Sequence, residues 1–228
     1  MDKKYIVKKK YDDIKFLPEV KIWEDVNNIT IGQEDYLWLN NGYKPEVNIK
    51  VFHNEKFICL KFKVFEKKVT IKHTKFGSDV WKDSCVEFFI NPFPEHSKKY
   101  FNIEINALGI PLIGVGEFGN DSKRYYFNEK EIKDWEIIPS INEPIVGEHG
   151  NDFWTLHYKI PKIFFEDFYE RDFLNIKGNA NFYKCGDETE YEHYGAWNKV
   201  VSEKPNFHLP KYFGEIYFTE KYEIRNNE

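Results

Sequence analysis

Trp81-Lys82-Asp83-Ser84-Cys85-Val86-Glu87-Phe88-Phe89-Ile90-Asn91-Pro92 alternates in character with a period of two. Val86, Phe88 and Ile90 fall on one side of an extended chain and are apolar, while Asp83, Cys85, Glu87, Phe89 and Asn91 fall on the other. That period predicts a strand with one face in a core. The other face carries a carboxylate in mid-strand, a few residues after a Trp, and needs its own explanation.

Two later segments divide in the same way. Across 100–107, Phe101, Ile103, Ile105 and Ala107 oppose Tyr100, Asn102, Glu104 and Asn106; across 179–185, Ala180 and Phe182 oppose Asn179, Asn181 and Tyr183. An antiparallel sheet with one dry and one solvated face accounts for this pattern. The alternative is a concave polar site lined by acids, amides and rings.

Outward from these strands the chain reads as sheet throughout. A hairpin is predicted at 47–65, with Val47, Ile49 and Val51 alternating, a turn at His53-Asn54-Glu55, and Ile58, Leu60, Phe62 and Val64 on one face of the return. Further strands are expected at 110–115, 135–141, 153–160, 176–185 and 213–218, and Pro161 opens a short helix over 163–168. The 186–210 loop carries His193, Tyr194, Trp197, Phe207 and His208, a heavy aromatic load for a connection. Residues 1–22 are expected as an arm or leading edge strand, 23–220 as one domain and 221–228 as a polar tail. Many short strands with a single helix describe an all-β, single-domain antiparallel β-sandwich of jelly-roll type.

Composition agrees. Aromatic residues make up 18% of the 228, including 21 Phe and 15 Tyr, and such side chains favour pleated, half-buried positions. A net charge of -5 and a pI near 5.9 argue against a nucleic-acid partner, because phosphate binding needs a basic face. The basic run Lys8-Lys9-Lys10 is short and is followed by Asp12 and Asp13. No apolar stretch follows the first lysines, so neither a membrane span nor an export signal is read, and a cytoplasmic location is expected unless a leader was trimmed. Cys59, Cys85 and Cys185 are odd in number and sit in apolar strand patterns, as buried free thiols of a reducing compartment would. Asn28-Ile29-Thr30 and Asn120-Asp121-Ser122 match a glycosylation acceptor pattern, which matters only on a eukaryotic secretory route.

The block Trp81-x-Asp83-Ser84-x-Val86-Glu87-Phe88-Phe89, the strand 100–106, Asn181-Phe182, Trp197 and the ending Phe207-x-x-Pro210-x-x-Phe213-Gly214 together resemble the family 9 carbohydrate-binding modules and their stand-alone family 9-like relatives. The resemblance covers about 23–218 and implies a DOMON-like β-sandwich with no catalytic activity, holding the end of a mono- or oligosaccharide between two aromatic rings. Position by position it makes Trp81 one ring, Glu87 an acceptor for sugar hydroxyls and Phe207 the second ring. Two departures bear on specificity: Phe207 stands where the family has Trp, and Asn102 then Glu104 stand where it has Arg then Asn.

The chemistry fits. A pyranose packs its C–H face on a ring while an ionised Glu accepts from adjacent hydroxyls, and a clamp of two rings needs a gap of roughly 7 to 8 Å. Asn102, Glu104, Asn106, Asn181 and Trp197 complete the candidate set, with Arg124 and Tyr126 as rim residues. Glu87 and Glu104 also raise a second reading, an enzyme acting on glycosides through paired carboxylates. A third is a protein-interaction domain whose polar sheet face meets another chain. His149, His193 and His208 do not fall at zinc-ligand spacings with Cys185, so no transition-metal site is expected. No cofactor is required by this reading, although the resemblance leaves room for a structural calcium.

Overall fold

The computed structural model describes residues 3–10, 17–119 and 123–222. The Asn120-Asp121-Ser122 triplet, parts of the N-terminal segment and 223–228 of the expected tail lie outside the described residues. Strands occur at β1 (Lys4–Lys9), β2 (Asn28–Ile31), β3 (Glu46–His53), β4 (Phe57–Phe65), β5 (Lys68–Thr70), β6 (Cys85–Asn91), β7 (Tyr100–Asn106) and β8 (Pro111–Gly116). They continue with β9 (Tyr125–Tyr126), β10 (Glu136–Pro139), β11 (Val146–Glu148), β12 (Trp154–Pro161), β13 (Lys177–Cys185), β14 (Tyr194–Ala196) and β15 (Gly214–Tyr222). The helix α1 spans Lys162–Tyr169, directly after Pro161.

Thirteen strands form one curled sheet in the order β10-β12-β4-β3-β1-β15-β13-β6-β7-β8-β9, with β2 added on β3 and β14 on β13; β5 and β11 pair separately. The curl folds β3, β4 and β12 over β6, β7 and β13 as the two layers of a sandwich. Val47, Ile49, Leu60 and Phe62 of one layer share a core with Phe88, Ile90, Ile103 and Phe182 of the other. Phe62 meets Phe182 at 6.3 Å between ring centroids, and Phe88 stacks on Phe182 at 4.9 Å. Each such side chain contributes about 1.5–3 kcal/mol on burial.

The hairpin forms where alternation placed it, with Val47 opposite Val64 and Ile49 opposite Phe62. Its turn is fixed by Asn54, whose Oδ1 accepts from the backbone N–H groups of Lys56 (3.0 Å) and Phe57 (2.8 Å).

The N-terminal segment departs from expectation. Lys4–Lys9 is no arm or edge strand: it lies between β15 and β3 and is parallel to both. Its only buried apolar residues are Tyr5 and Val7, set among lysines, which is too little alternation to show in the sequence. It also makes the sheet mixed at that one position.

The polar face of β6 and β7 departs too, because every residue of both strands is buried. It is not a solvated surface. The 186–210 segment folds back over it, pairing β14 with β13 and packing Tyr194, Val200, Phe207 and Leu209 on Cys85, Phe89, Tyr100 and Tyr183. Residues 17–26 cover the outer face of β3 and β4 in the same manner, with Trp23 and Val26 against Phe52 and Cys59. Cys59, Cys85 and Cys185 are free and buried. Among the described residues no helix is long and apolar enough to cross a membrane.

Candidate functional site

Strand register arranges the covered face as a lattice. Directly opposed residues give one row of Cys185, Cys85 and Asn106, a second of Tyr183, Glu87, Glu104 and Leu112, and a third of Asn181, Phe89, Asn102 and Gly114. Glu87 and Glu104 are therefore cross-strand neighbours, a placement that leaves their Cβ atoms about 4.5–5.5 Å apart.

A cavity of about 410 Å³ opens over this middle row. Glu87, Glu104, Leu112 and Cys185 form its floor. Trp81, Arg124 and Tyr126 stand on the strand-loop side, and Asp187, Tyr194, Asn206, Phe207 and His208 come from the covering segment. Its volume lies in the lower part of the range for small-molecule sites, about 300–1,000 Å³.

Trp81 is half-buried on a short 3-10 turn, Val80–Lys82. Asp83 fixes the approach to that turn. Its fully buried carboxylate accepts from the backbone N–H groups of Lys72 (3.1 Å) and His73 (2.9 Å) and from Asn106 Nδ2 (3.0 Å). The ring thus hangs from a braced loop. Phe207 stacks one face on Tyr183 at 4.1 Å with 12° between planes, so only its remaining surface is available to the cavity.

Arg124 enters from the segment after β8. Its Nη1 donates to Asn102 Oδ1 (2.6 Å), and the guanidinium lies 4.7 Å from the centroid of the Tyr100 ring. Asn102 Nδ2 passes the chain on to Glu104 Oε1 (2.8 Å). Gly114 makes room for this arrangement, because a Cβ there would stand 2.6 Å from Asn102 Oδ1 and 3.0 Å from the Tyr126 ring. The second guanidinium nitrogen, Nη2, is buried and has no hydrogen-bond partner. Leaving such a donor unmade costs on the order of 1–3 kcal/mol.

The acids of the cavity are held against ionisation. Burial pushes Glu104 up to about 7, opposed by the Asn102 hydrogen bond and the Arg124 charge, with Asp187 and Asp79 adding to the rise. Burial raises Glu87 well above the usual carboxylate range, and the Cys185 and Glu104 side chains raise it further. Asp187 rises to about 6 through burial, against the hydrogen bond donated by the Tyr194 hydroxyl (2.8 Å). A protonated carboxyl both donates and accepts, so the floor can serve either side of a hydroxyl group.

Of the residues singled out in the sequence, Trp81, Glu87, Glu104 and Phe207 line the cavity, as do Arg124 and Tyr126. Asn102 stands one step behind, between Arg124 and Glu104. Three expectations are corrected. Asn106 spends its amide on His73 O (2.8 Å) and Asp83, and its Oδ1 on the N–H groups of Leu108 and Ile110. Asn181 is fully buried and holds Asn198 through Nδ2 to its carbonyl (2.8 Å) and Oδ1 from its N–H (2.8 Å). Trp197 is in the main core against Phe182 at 5.7 Å. All three are framework. Asp187, Asn206 and His208 were missed; the heavy aromatic content of 186–210 was the only signal, and it does not say which residues turn inward.

The chain belongs to carbohydrate-binding family 9, whose model matches residues 15–218. Among solved structures it is similar to a Bacteroides uniformis ATCC 8492 protein provisionally described as carbohydrate-binding, with 28% identity and a TM-score of 0.81 over 96% of this chain and 100% of that one. It is also similar to a family 9 carbohydrate-binding module of Caldicellulosiruptor kristjanssonii solved with glucose. There the identity is 10% and the TM-score 0.61, covering 98% and 100%. A family 9 module of the same organism solved with cellotriose gives 11% identity and a TM-score of 0.59, covering 99% and 97%. These two likenesses show the fold. No curated relative matches the chain.

Proposed function

We propose that the cavity takes the end of a mono- or oligosaccharide without catalysing its cleavage. The sugar's C–H face packs on Trp81, with Phe207 closing the opposite side. Glu87 and Glu104 take hydroxyls along one edge and Arg124 along another. The observation that carries this reading is a single cavity lined by an aromatic ring, two carboxyls and the Arg124 side chain. A ligand rich in both acceptors and donors matches that lining, and the family points to sugars. Neighbouring modules captured with glucose and cellotriose support glucose-type ligands as the first to test.

Two other readings are weaker. Glycoside cleavage needs paired carboxyls with separated roles, one protonated and one ionised. Here burial drives Glu87 and Glu104 in the same direction. A protein-docking surface would be flat, whereas these groups lie at the bottom of a cavity.

Calorimetric titration with glucose, xylose and their short oligomers tests the proposal. Saturable binding to at least one is expected, and Trp81→Ala is expected to weaken it at least about tenfold with unchanged circular dichroism, equivalent to about 1.4 kcal/mol. A flat response from folded protein across the panel would overturn the proposal. Aryl glycosides are expected to stay intact; nitrophenol release abolished by Glu87→Gln would move the site to the hydrolases.

A further inference from the structure

Beneath the sugar cavity, the first row of the lattice sets Cys85 on β6 directly opposite Cys185 on β13. Glu87 follows Cys85 by two residues and so projects from the same face. The two sulfurs and a Glu87 oxygen all lie within 4.8 Å of one another. The Cys185 thiol donates to Glu87 Oε1 at 3.0 Å. All three side chains are buried, yet Glu87 and Cys185 also border the cavity.

We propose that Cys85, Cys185 and Glu87 bind a zinc ion at the floor of the cavity, with the fourth coordination position open toward the ligand space. Two thiolates make the donor set too soft for magnesium or calcium, and the carboxylate suits a borderline ion better than copper(I), which favours soft sulfur ligands. Zinc has no directional preference of its own and accepts S₂O ligation with water as fourth ligand. Tetrahedral bonds of about 2.3 Å to sulfur and 2.0–2.2 Å to oxygen separate the donor atoms by roughly 3.6–3.8 Å, so the Cys185 Sγ–Glu87 Oε1 pair at 3.0 Å has to open slightly while pairs near the 4.8 Å limit close by about 1 Å.

Binding exchanges the two thiol protons, and the Glu87 proton where present, for the ion; the protons leave through the cavity. The remaining carboxylate oxygen of Glu87 stays available to the cavity. The inference does not rest on sugar binding, because the ligand atoms and the test are the same with or without a sugar.

Cobalt(II) reports on such a site directly. Reduced, chelator-treated protein is expected to take up about one cobalt per chain, with a near-ultraviolet thiolate-to-cobalt charge-transfer band and the visible bands of tetrahedral ligation, both bleached by zinc. Cys85→Ser and Cys185→Ser are expected to lose the charge-transfer band, while Cys59→Ser, in a separate cluster on the other layer, keeps it. No band in wild-type protein whose thiols all titrate after unfolding would overturn the proposal. So would a band that survives both serine changes, or a Cys85–Cys185 disulfide in protein kept reduced. Should the serine variants fail to fold, X-ray absorption at the zinc edge of wild-type protein decides: two sulfur scatterers support the site and none overturns it.

Discussion

Two buried polar clusters lie on opposite faces of the sheet at β13 and its neighbours, and they are built on opposite principles. On the inner side Lys184 Nζ donates to the Cys185 carbonyl (2.9 Å) and to His193 Nε2 (2.7 Å) and pairs with Glu66 Oε2 at 3.3 Å. Trp154 Nε1 donates to the same Glu66 oxygen at 2.9 Å. Burial and the Lys184 charge hold the His193 pKa well below its usual value, so the ring is neutral, donating from Nδ1 to Tyr191 O (2.6 Å) and accepting at Nε2. One cation meets one anion. On the outer side Glu87, Glu104 and Asp187 line one cavity with a single guanidinium whose Nη2 has no partner. The inner cluster is closed in the sense that its charges balance, although Glu66 Oε1 has no hydrogen bond and stands 3.7 Å from His193 Nε2; the outer, open one sets three acids against one cation.

The largest effect is expected where the closed cluster is broken. Lys184→Met keeps the length of the side chain but strands Glu66 without its cation, and a loss of about 3–5 kcal/mol in chemical denaturation is expected. Adding Glu66→Gln should recover most of that loss, since the orphaned charge, rather than the lost attraction, is the main penalty. If the single change costs under about 1 kcal/mol, the inner cluster is not the closed one described.

The two clusters also differ in how far the sequence reveals them. Alternation around Glu87 and Glu104 is visible because their strands are regular, and the resemblance adds Trp81 and Phe207. Their opposition depends on a register between β6 and β7 that alternation does not specify. Lys184 and Glu66 leave no trace at all. Lys184 falls on the apolar face of β13, opposite Val86, and Glu66 lies just after β4, 118 positions earlier in the chain, so only the closed sandwich brings them together. Cys85 and Cys185 were hidden in the same way. Their separation matches no metal motif because the ligand set is made by strand pairing. Asn106 and Asn181 mislead for the converse reason: a polar residue on the right face is also what braces a loop from below.

A smaller effect is expected from the open cluster as pH changes. A carboxyl with a raised folded-state pKa binds its proton more tightly in the folded than in the unfolded protein. Stability therefore falls as pH rises from the ordinary 4.5 of Glu104 toward its value near 7. Glu104→Gln removes that ionisation while keeping an oxygen for Asn102 Nδ2. It is expected to stabilise the protein at pH 8 by an amount on the order of 3 kcal/mol at most, with little change at pH 4. Denaturation midpoints of both proteins across pH 4–8 check this. Parallel curves would mean that Glu104 ionises without penalty and that the outer cluster is balanced after all.

The finest test applies the same kind of substitution on the outer face. Arg124→Met removes a cation as Lys184→Met does, but it leaves behind acids that burial already favours in the neutral form. The cost to folding is one hydrogen bond to Asn102 and the contact with the Tyr100 ring, about 1–2 kcal/mol. Part of this is offset by releasing the unpartnered Nη2 from burial, so a net stability change under about 1 kcal/mol is expected. Sugar affinity should fall roughly tenfold or more, because a charged hydrogen bond to a hydroxyl is lost. The opposite outcome, a stability loss as large as that of Lys184→Met with affinity intact, would place Arg124 in the framework and leave the acids of the floor without a ligand to explain them.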